Sequence, residues 1–131
     1  MADETWLGKA DHYLLSAQML LKEGDTESAV SRAYYAARYG AIHLFIARKL
    51  GWTPHWQHET IASKMIEQAH RLHWLRVARM AGQPDFGKSW LMLLKLRNEA
   101  DYELSRVPTR SAERCLEFAQ SVVRIIKENS L

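Results

Sequence analysis

Ser31-Arg32-Ala33-Tyr34-Tyr35-Ala36-Ala37-Arg38-Tyr39-Gly40-Ala41 is the stretch that decides the fold of this chain. Around it, Val30, Ala33, Ala37, Ala41 and Leu44 recur at helical spacing to form one apolar stripe, and Tyr35, Tyr39, Ile42 and Ile46 form another. A helix apolar on two faces belongs at the centre of a bundle or is shared with a partner subunit. The small residues Ala33, Ala36, Ala37, Gly40 and Ala41 let a neighbouring helix approach closely. Gly40 costs some helix stability, which those contacts must offset. The helix is predicted to open on a Thr26 N-cap, with Glu27 in the favourable first turn, and to run to Leu50 before Gly51.

The rest of the chain reads as helical too. Trp6, Ala10, Tyr13, Leu14, Ala17, Leu20 and Leu21 define a first helix from about Glu4 to Lys22, stopped by Gly24. After a Trp52-Thr53-Pro54 turn, one or two shorter helices are expected over roughly Glu59 to Ala81. Gly82-Gln83-Pro84-Asp85 is a clear break, with Asp85 able to cap a long helix from about Phe86 to Leu104. Pro108-Thr109 opens the last helix, whose stripe is Ala112, Leu116, Ala119, Val122, Val123 and Ile126. The three prolines fall between periodic segments, and no repeat, low-complexity run or β-type alternation interrupts them. The expected fold is all-α: an antiparallel helical bundle of four long helices, with one or two short helices between the second and the fourth, forming one domain over residues 1–131.

Composition bounds the function. At 131 residues the chain can bury a real core, and 47% hydrophobic with 25% charged residues is ordinary for a soluble domain. No apolar run has the length of a membrane span, and the opening Met-Ala-Asp-Glu-Thr-Trp is acidic, unlike a signal peptide; no membrane partner is expected and the cytoplasm is the expected location. The single Cys115 excludes an internal disulfide and argues against a cysteine-based zinc site. The net charge of +3 conceals an asymmetry: residues 28–84 carry +6, with Glu59 and Glu67 their only acids, against −3 for the remainder. Two readings fit this basic middle, solvated helix faces or an anionic partner such as RNA, a nucleotide or an acidic protein face.

The second telling stretch is Leu96-Arg97-Asn98-Glu99-Ala100-Asp101-Tyr102, at the end of the helix that carries Trp90, Leu91, Leu93 and Leu94. A helix built only to pack needs no guanidinium and phenol there. Arg97 can make paired hydrogen bonds to phosphate or carboxylate. Arg97 and Asp101 lie one turn apart, so an intrahelical ion pair is the plain alternative, although arginine before aspartate is the poorer orientation. Asn98 and Tyr102 are also one turn apart and can flank the same cleft. His55/His58 and His70/His73 are each spaced three apart, but no carboxylate–histidine motif accompanies them, and no metal or other cofactor is expected. His70, Arg71, His73, Arg76 and Arg79 instead offer a phosphate-facing strip. Tyr34 and Tyr35 read first as packing residues with hydroxyls satisfied at an interface. Trp52, Trp56 and Trp74 can serve core, interface or base stacking.

Two of these segments together resemble the HEPN domain family. The stretch from Ser31 to Ala41 is similar to that family's second-helix signature of paired tyrosines and small residues. Leu94-Lys95-Leu96-Arg97-Asn98-Glu99-Ala100-Asp101-Tyr102 is similar to its Arg-centred motif, in a variant ending Ala-Asp-Tyr. His58 sits where many members carry a histidine, and helix order and spacing agree over essentially the whole chain. The resemblance implies a homodimer that brings two Arg motifs together across a cleft. Many members are metal-independent endoribonucleases, often toxins paired with an MNT-type nucleotidyltransferase. Their motif is arginine, four to six residues, then histidine; five residues after Arg97 this chain has Tyr102. Arg38 before His43 and Arg48 before His55 also satisfy that spacing, but off the motif helix, and are read as coincidence.

The substitution bears directly on chemistry. Cleaving RNA without metal requires a base for the 2′-hydroxyl and a cation for the phosphorane-like transition state. Arginine supplies the cation and histidine the base, whereas a phenol is a poor base at neutral pH. The candidate catalytic residues are therefore Arg97, Asp101 as its orienting partner, and Tyr102. The candidate nucleotide- or RNA-binding residues are Asn98, His58, Tyr35, Arg38, Arg71 and Arg76. Three functions remain open on sequence: a ribonuclease toxin, a non-catalytic nucleotide-binding partner of the transferase, and a pure interaction module.

Overall fold

A computed structural model describes residues 5–102 and 106–129 and consists, among these, of five helices: α1 (Trp6–Lys22), α2 (Thr26–Ala47), α3 (His58–Arg71), α4 (Phe86–Tyr102) and α5 (Thr109–Asn129). The all-α expectation holds, with α3 the single helix between α2 and α4. The α2 helix packs against each of the other four, most extensively against α1 and α5. Its first predicted stripe, Val30, Ala33, Ala37, Ala41 and Leu44, is entirely buried, whereas of the second only Ile42 is buried, Tyr35 and Tyr39 being half-buried and Ile46 exposed. A Cβ placed on Gly40 would meet Val123 Cγ2 at 3.4 Å and Ile126 Cδ1 at 3.6 Å, so α5 crosses α2 where the side chains are smallest. All six residues of the predicted α5 stripe are buried as well.

Aromatic packing ties α4 to α5. Phe118 lies 5.8 Å from Phe86 and 6.4 Å from Trp90, centroid to centroid, and all three rings are buried. Each such side chain contributes on the order of 1.5–3 kcal/mol by leaving water. This anchor fixes the first two turns of α4, and therefore the height at which Arg97 arrives, about two turns after Trp90.

Three boundaries differ from the sequence-based expectation. The α2 N-cap is Asp25, whose carboxylate accepts from the Ser28 amide at 3.1 Å, and not Thr26. Thr26 is instead buried in the first turn, where its hydroxyl donates to the Val107 carbonyl at 2.7 Å. The same Asp25 closes α1: its amide reaches the Leu20 carbonyl, and the Gly24 amide the Leu21 carbonyl, across Gly24 at φ +83°. One residue therefore ends one helix and begins the next.

The second difference is that α2 stops at Ala47, three residues before the predicted Leu50. Lys49 takes the left-handed conformation at φ +56°, so that its amide reaches Ile46 and that of Leu50 reaches Phe45. This is the helix-ending bond pair normally built on glycine, and a lysine gives little signal of it in sequence.

The third is the segment expected to hold one or two helices from Glu59 to Ala81. It holds one, α3, followed by hydrogen-bonded turns over 72–83. There Leu75, Ala78 and Met80 are buried at a spacing that mimics a helix. At its other end, Asp85 caps α4 as predicted, accepting from the Lys88 amide at 2.8 Å. Glu4 and Glu103–Leu104, the predicted outer residues of α1 and α4, lie outside the described residues.

Candidate functional site

Arg97 faces inward on α4 in the row of Trp90, Leu93 and Leu94, and only 6% of it is exposed. Burying a guanidinium is expensive unless its donors are satisfied, and here both terminal nitrogens find a partner. One terminal nitrogen donates to the Tyr35 hydroxyl at 2.8 Å, and the other to the Asn98 side-chain oxygen at 3.0 Å. Nε lies 2.9 Å from Asp101 Oδ2; this is an ion pair by distance, but the N–H direction is too oblique for a hydrogen bond. The guanidinium carbon also sits 5.7, 5.4 and 5.5 Å from the ring centroids of Tyr34, Tyr35 and Tyr102. Burial alone works against the charge. The oxygens of Tyr35, Asp101 and Tyr102 outweigh it and hold the guanidinium above its ordinary pKa, firmly cationic.

A histidine enters from α3. His58 Nδ1 lies 2.5 Å from the Tyr34 hydroxyl and 3.0 Å from an Arg38 terminal nitrogen. Arginine can only donate. Nδ1 is therefore an acceptor, Tyr34 donates to it as well, and the ring proton of the neutral imidazole sits on Nε2. Burial, then the positive charges of Arg97 and Arg38, press the His58 pKa below the ordinary histidine value, against smaller opposing effects of Glu59 and Asp101. At neutral pH the ring is uncharged. The Tyr34 phenol is pushed up to about 12, by burial first and against the pull of Arg38 and Arg97, so it stays protonated and donates.

The four residues Tyr34, Tyr35, Arg38 and His58 thus join Arg97 in one cluster across α2, α3 and α4. Helical spacing explains why α2 contributes three of them: Tyr34 and Arg38 are one turn apart, and Tyr35 lies on the face beside them. Tyr35, Arg38 and His58 also form part of the wall of a cavity of about 770 Å3, which Trp6, Tyr39, Trp52 and Trp56 line as well. The Tyr35 oxygen accepts from Arg97, which leaves its own proton to donate. The wall therefore offers a hydroxyl, a guanidinium and an imidazole N–H. Glu59 is the one acid among the described residues lining the cavity, and it is exposed.

The remaining candidates fall into two groups. Asp101 and Asn98 hold the Arg97 guanidinium, as expected of Asp101; Tyr102 covers it with a ring that is itself 74% exposed. Arg71 and Arg76 lie elsewhere. Arg71, in the last turn of α3, reaches Glu67 at 3.9 Å. Arg76 lines a separate cavity of about 580 Å3 with His70, Lys88, Phe86 and Leu91. Among the described residues no group of three or more His, Cys, Asp or Glu side chains is placed to hold a metal ion, and no helix is long and apolar enough to cross a membrane. Tyr34 is the functional residue that sequence reasoning assigned to packing alone. It is fully buried, as packing predicts, yet its hydroxyl orients His58. The signal available was the Tyr-Tyr pair itself, since adjacent helical residues point about 100° apart and cannot both serve one packing face.

The family model described as the HEPN domain matches residues 4–129, nearly the whole chain. No curated protein and no solved structure matches it.

Proposed function

Because this chain belongs to the HEPN domain family, we propose that it binds RNA or a nucleotide, with the phosphate held by Arg97 and its neighbours. The observation that carries this reading is the donor wall: Arg38, the Tyr35 hydroxyl and the His58 Nε2–H stand in front of a buried, permanently charged Arg97. Three donors against the single exposed carboxylate of Glu59 suit an anion already formed, such as a phosphodiester. In the fuller form of the proposal the protein is a cytoplasmic homodimer and the toxin half of a toxin–antitoxin module with an MNT-type nucleotidyltransferase. The sequence motifs and the family membership support that setting. The exposed ring of Tyr102, lying over Arg97, gives a second copy an apolar contact beside the site.

Ribonuclease activity without metal follows if the site can gain a base. A phosphate that draws Arg38 to itself, with the Tyr34 O–H turned away from the ring, would leave His58 Nδ1 able to take the 2′-hydroxyl proton as the 2′-oxygen attacks phosphorus and the 5′-oxygen leaves, with Arg97 stabilising charge on the phosphorane. The second reading, a non-catalytic nucleotide-binding partner of the transferase, is favoured by the opposite feature. In the arrangement seen, Nδ1 is occupied by Arg38 and Tyr34, and Tyr102 stands where the family motif has histidine.

Incubation of purified protein with RNA in the presence of chelator separates the two. Cleavage that is lost in Arg97→Ala supports the enzyme. Salt-dependent binding without cleavage supports the binding partner, and absence of binding at low salt removes both. Co-purification with the neighbouring gene product tests the module.

A further inference from the structure

The geometry points to a nucleobase-stacking subsite: we propose that the cavity walled by Trp6, Tyr39, Trp52 and Trp56 takes an unpaired base of single-stranded RNA. This rests on the phosphate-binding reading above and extends it to the substrate's bases.

The rings differ from those of the core. Trp90, Phe86 and Phe118 are packed away at 2% exposure or less, as core aromatics should be, whereas Trp6, Tyr39, Trp52 and Trp56 are all only half-buried around an open volume. Trp6 stacks on Tyr39 at 5.8 Å and 27° and meets Trp52 edge to face at 5.4 Å and 74°, an aromatic row whose outer faces a base can extend. At about 770 Å3 the cavity falls within the roughly 300–1,000 Å3 of ligand sites.

Polar groups stand where a nucleotide needs them. Tyr35, Arg38 and His58 line the same cavity as the tryptophans, which places phosphate chemistry and π-faces together. Lys9 Nζ lies 5.0 Å from the Tyr39 ring and 5.7 Å from Trp6, a second cation for the next phosphate along a strand. Gln57, at the N-cap position of α3, makes no cap hydrogen bond with its side chain and lines the same cavity, so its amide can reach a base edge. The other large cavity has cations in Arg76 and Lys88, but no tryptophan or tyrosine: its aromatic lining is Phe86, 2% exposed, and the smaller imidazole of His70. A base inside a duplex has both faces covered, so the subsite selects single strands.

The experiment is a fluorescence-anisotropy titration of the full chain with end-labelled single-stranded RNA octamers at low salt. Intact octamers are compared with the same octamers carrying abasic positions, and with duplex. Loss of the stacked base is expected to weaken binding about tenfold. Trp52→Leu should weaken intact RNA by a similar factor and erase the difference between intact and abasic RNA. Trp6→Leu, at the first turn of α1, replaces it if Trp52→Leu does not fold. Equal affinity for intact and abasic RNA, with binding still lost in Arg97→Ala, overturns the base subsite and leaves the phosphate reading standing. An abasic penalty that persists undiminished in the tryptophan variants overturns this cavity as its location. No RNA binding by the wild-type chain overturns both readings.

Discussion

Two sets of arginines divide this molecule. Arg97 and Arg38 sit among α2, α3 and α4, each with a partner fixed by the fold: Tyr35, Asn98 and Asp101 for the first, His58 for the second. Arg71 and Arg76 lie on and after the end of α3, exposed, one of them offset by Glu67 a turn away. The sequence presents all four as one basic character spread over the chain. The fold makes the first pair an oriented site and leaves the second a screened surface charge. The physical difference is the dielectric: a buried charge must be held by designated dipoles and so acquires direction, whereas an exposed one is solvated and worth little in any direction.

The largest effect should come from Arg97→Ala. It removes the cation shared by three tyrosine rings and leaves the Tyr35 hydroxyl without its donor. Unfolding by urea should show a loss of roughly 2 kcal/mol, and phosphate-dependent RNA binding should disappear. Arg97→Lys tests direction apart from charge: it should recover part of the stability but little of the binding, because an ammonium cannot reach Tyr35 and Asn98 with a planar fork. If Arg97→Lys binds as well as wild type, the oriented-site half of the comparison fails.

Tyr35→Phe comes next. It deletes one hydrogen bond to a charged donor while keeping the ring, and should cost about 1.5 kcal/mol in urea unfolding. By contrast Arg71→Ala and Arg76→Ala should each stay within about 0.5 kcal/mol of wild type. They should weaken RNA binding only slightly and equally for all sequences, an effect that vanishes as salt is raised. A loss at Arg76 as large as that at Arg97 would move the site to the α3–α4 cavity.

The pH dependence sharpens the comparison further. His58 is held below the ordinary histidine pKa by burial and by Arg97 and Arg38; His43, half-buried in α2, is lowered by burial alone. The folded-state pKa of each therefore lies below its unfolded value. As pH falls below about 6.5 the unfolded chain takes up more protons than the folded one, so stability is full above that point and declines beneath it. Thermal unfolding between pH 7.5 and 5 should show this decline, and His58→Gln should flatten part of it while leaving the share of His43. An unchanged slope in His58→Gln would mean that the two arginines do not bear on the imidazole.

The smallest effect is expected far from the cluster, at Gly40→Ala. The space toward Val123 and Ile126 admits a methyl group in ordinary contact, and removing glycine from a helix interior favours the helix by up to about 1 kcal/mol. The variant should be unchanged or slightly more stable, which would show that the closeness of α2 and α5 rests on the row of alanines.

Particular residues show what could be read in advance. The stripes on α2 and α5, the Gly24 stop, the Asp85 cap and the breaks at Pro84 and Pro108 were legible, because helix periodicity, caps and breakers act over a few residues. Thr26 and Lys49 were not. One traded its expected capping role for a hydrogen bond to Val107, eighty-one residues away, and the other took a left-handed turn that lysine seldom adopts. Arg97 was visible as a misfit on an apolar helix, and Asp101 as its neighbour one turn on. Tyr34 was hidden because a buried tyrosine reads the same whether its hydroxyl is idle or orients a histidine.

The sequence by itself determined five helices' worth of local pattern, their connections, the placement of Arg97 on a buried face and, through its motifs, the family. Only the tertiary structure decided that His58 stands beside Tyr34 and Arg38, that Tyr35 meets Arg97 across sixty-two positions, and that Arg71 and Arg76 do not join them. The reason is range. Spacings of three and four residues specify which face a side chain occupies, but the chemistry of the site is made by faces of three different helices, and their meeting is fixed by core packing around α2.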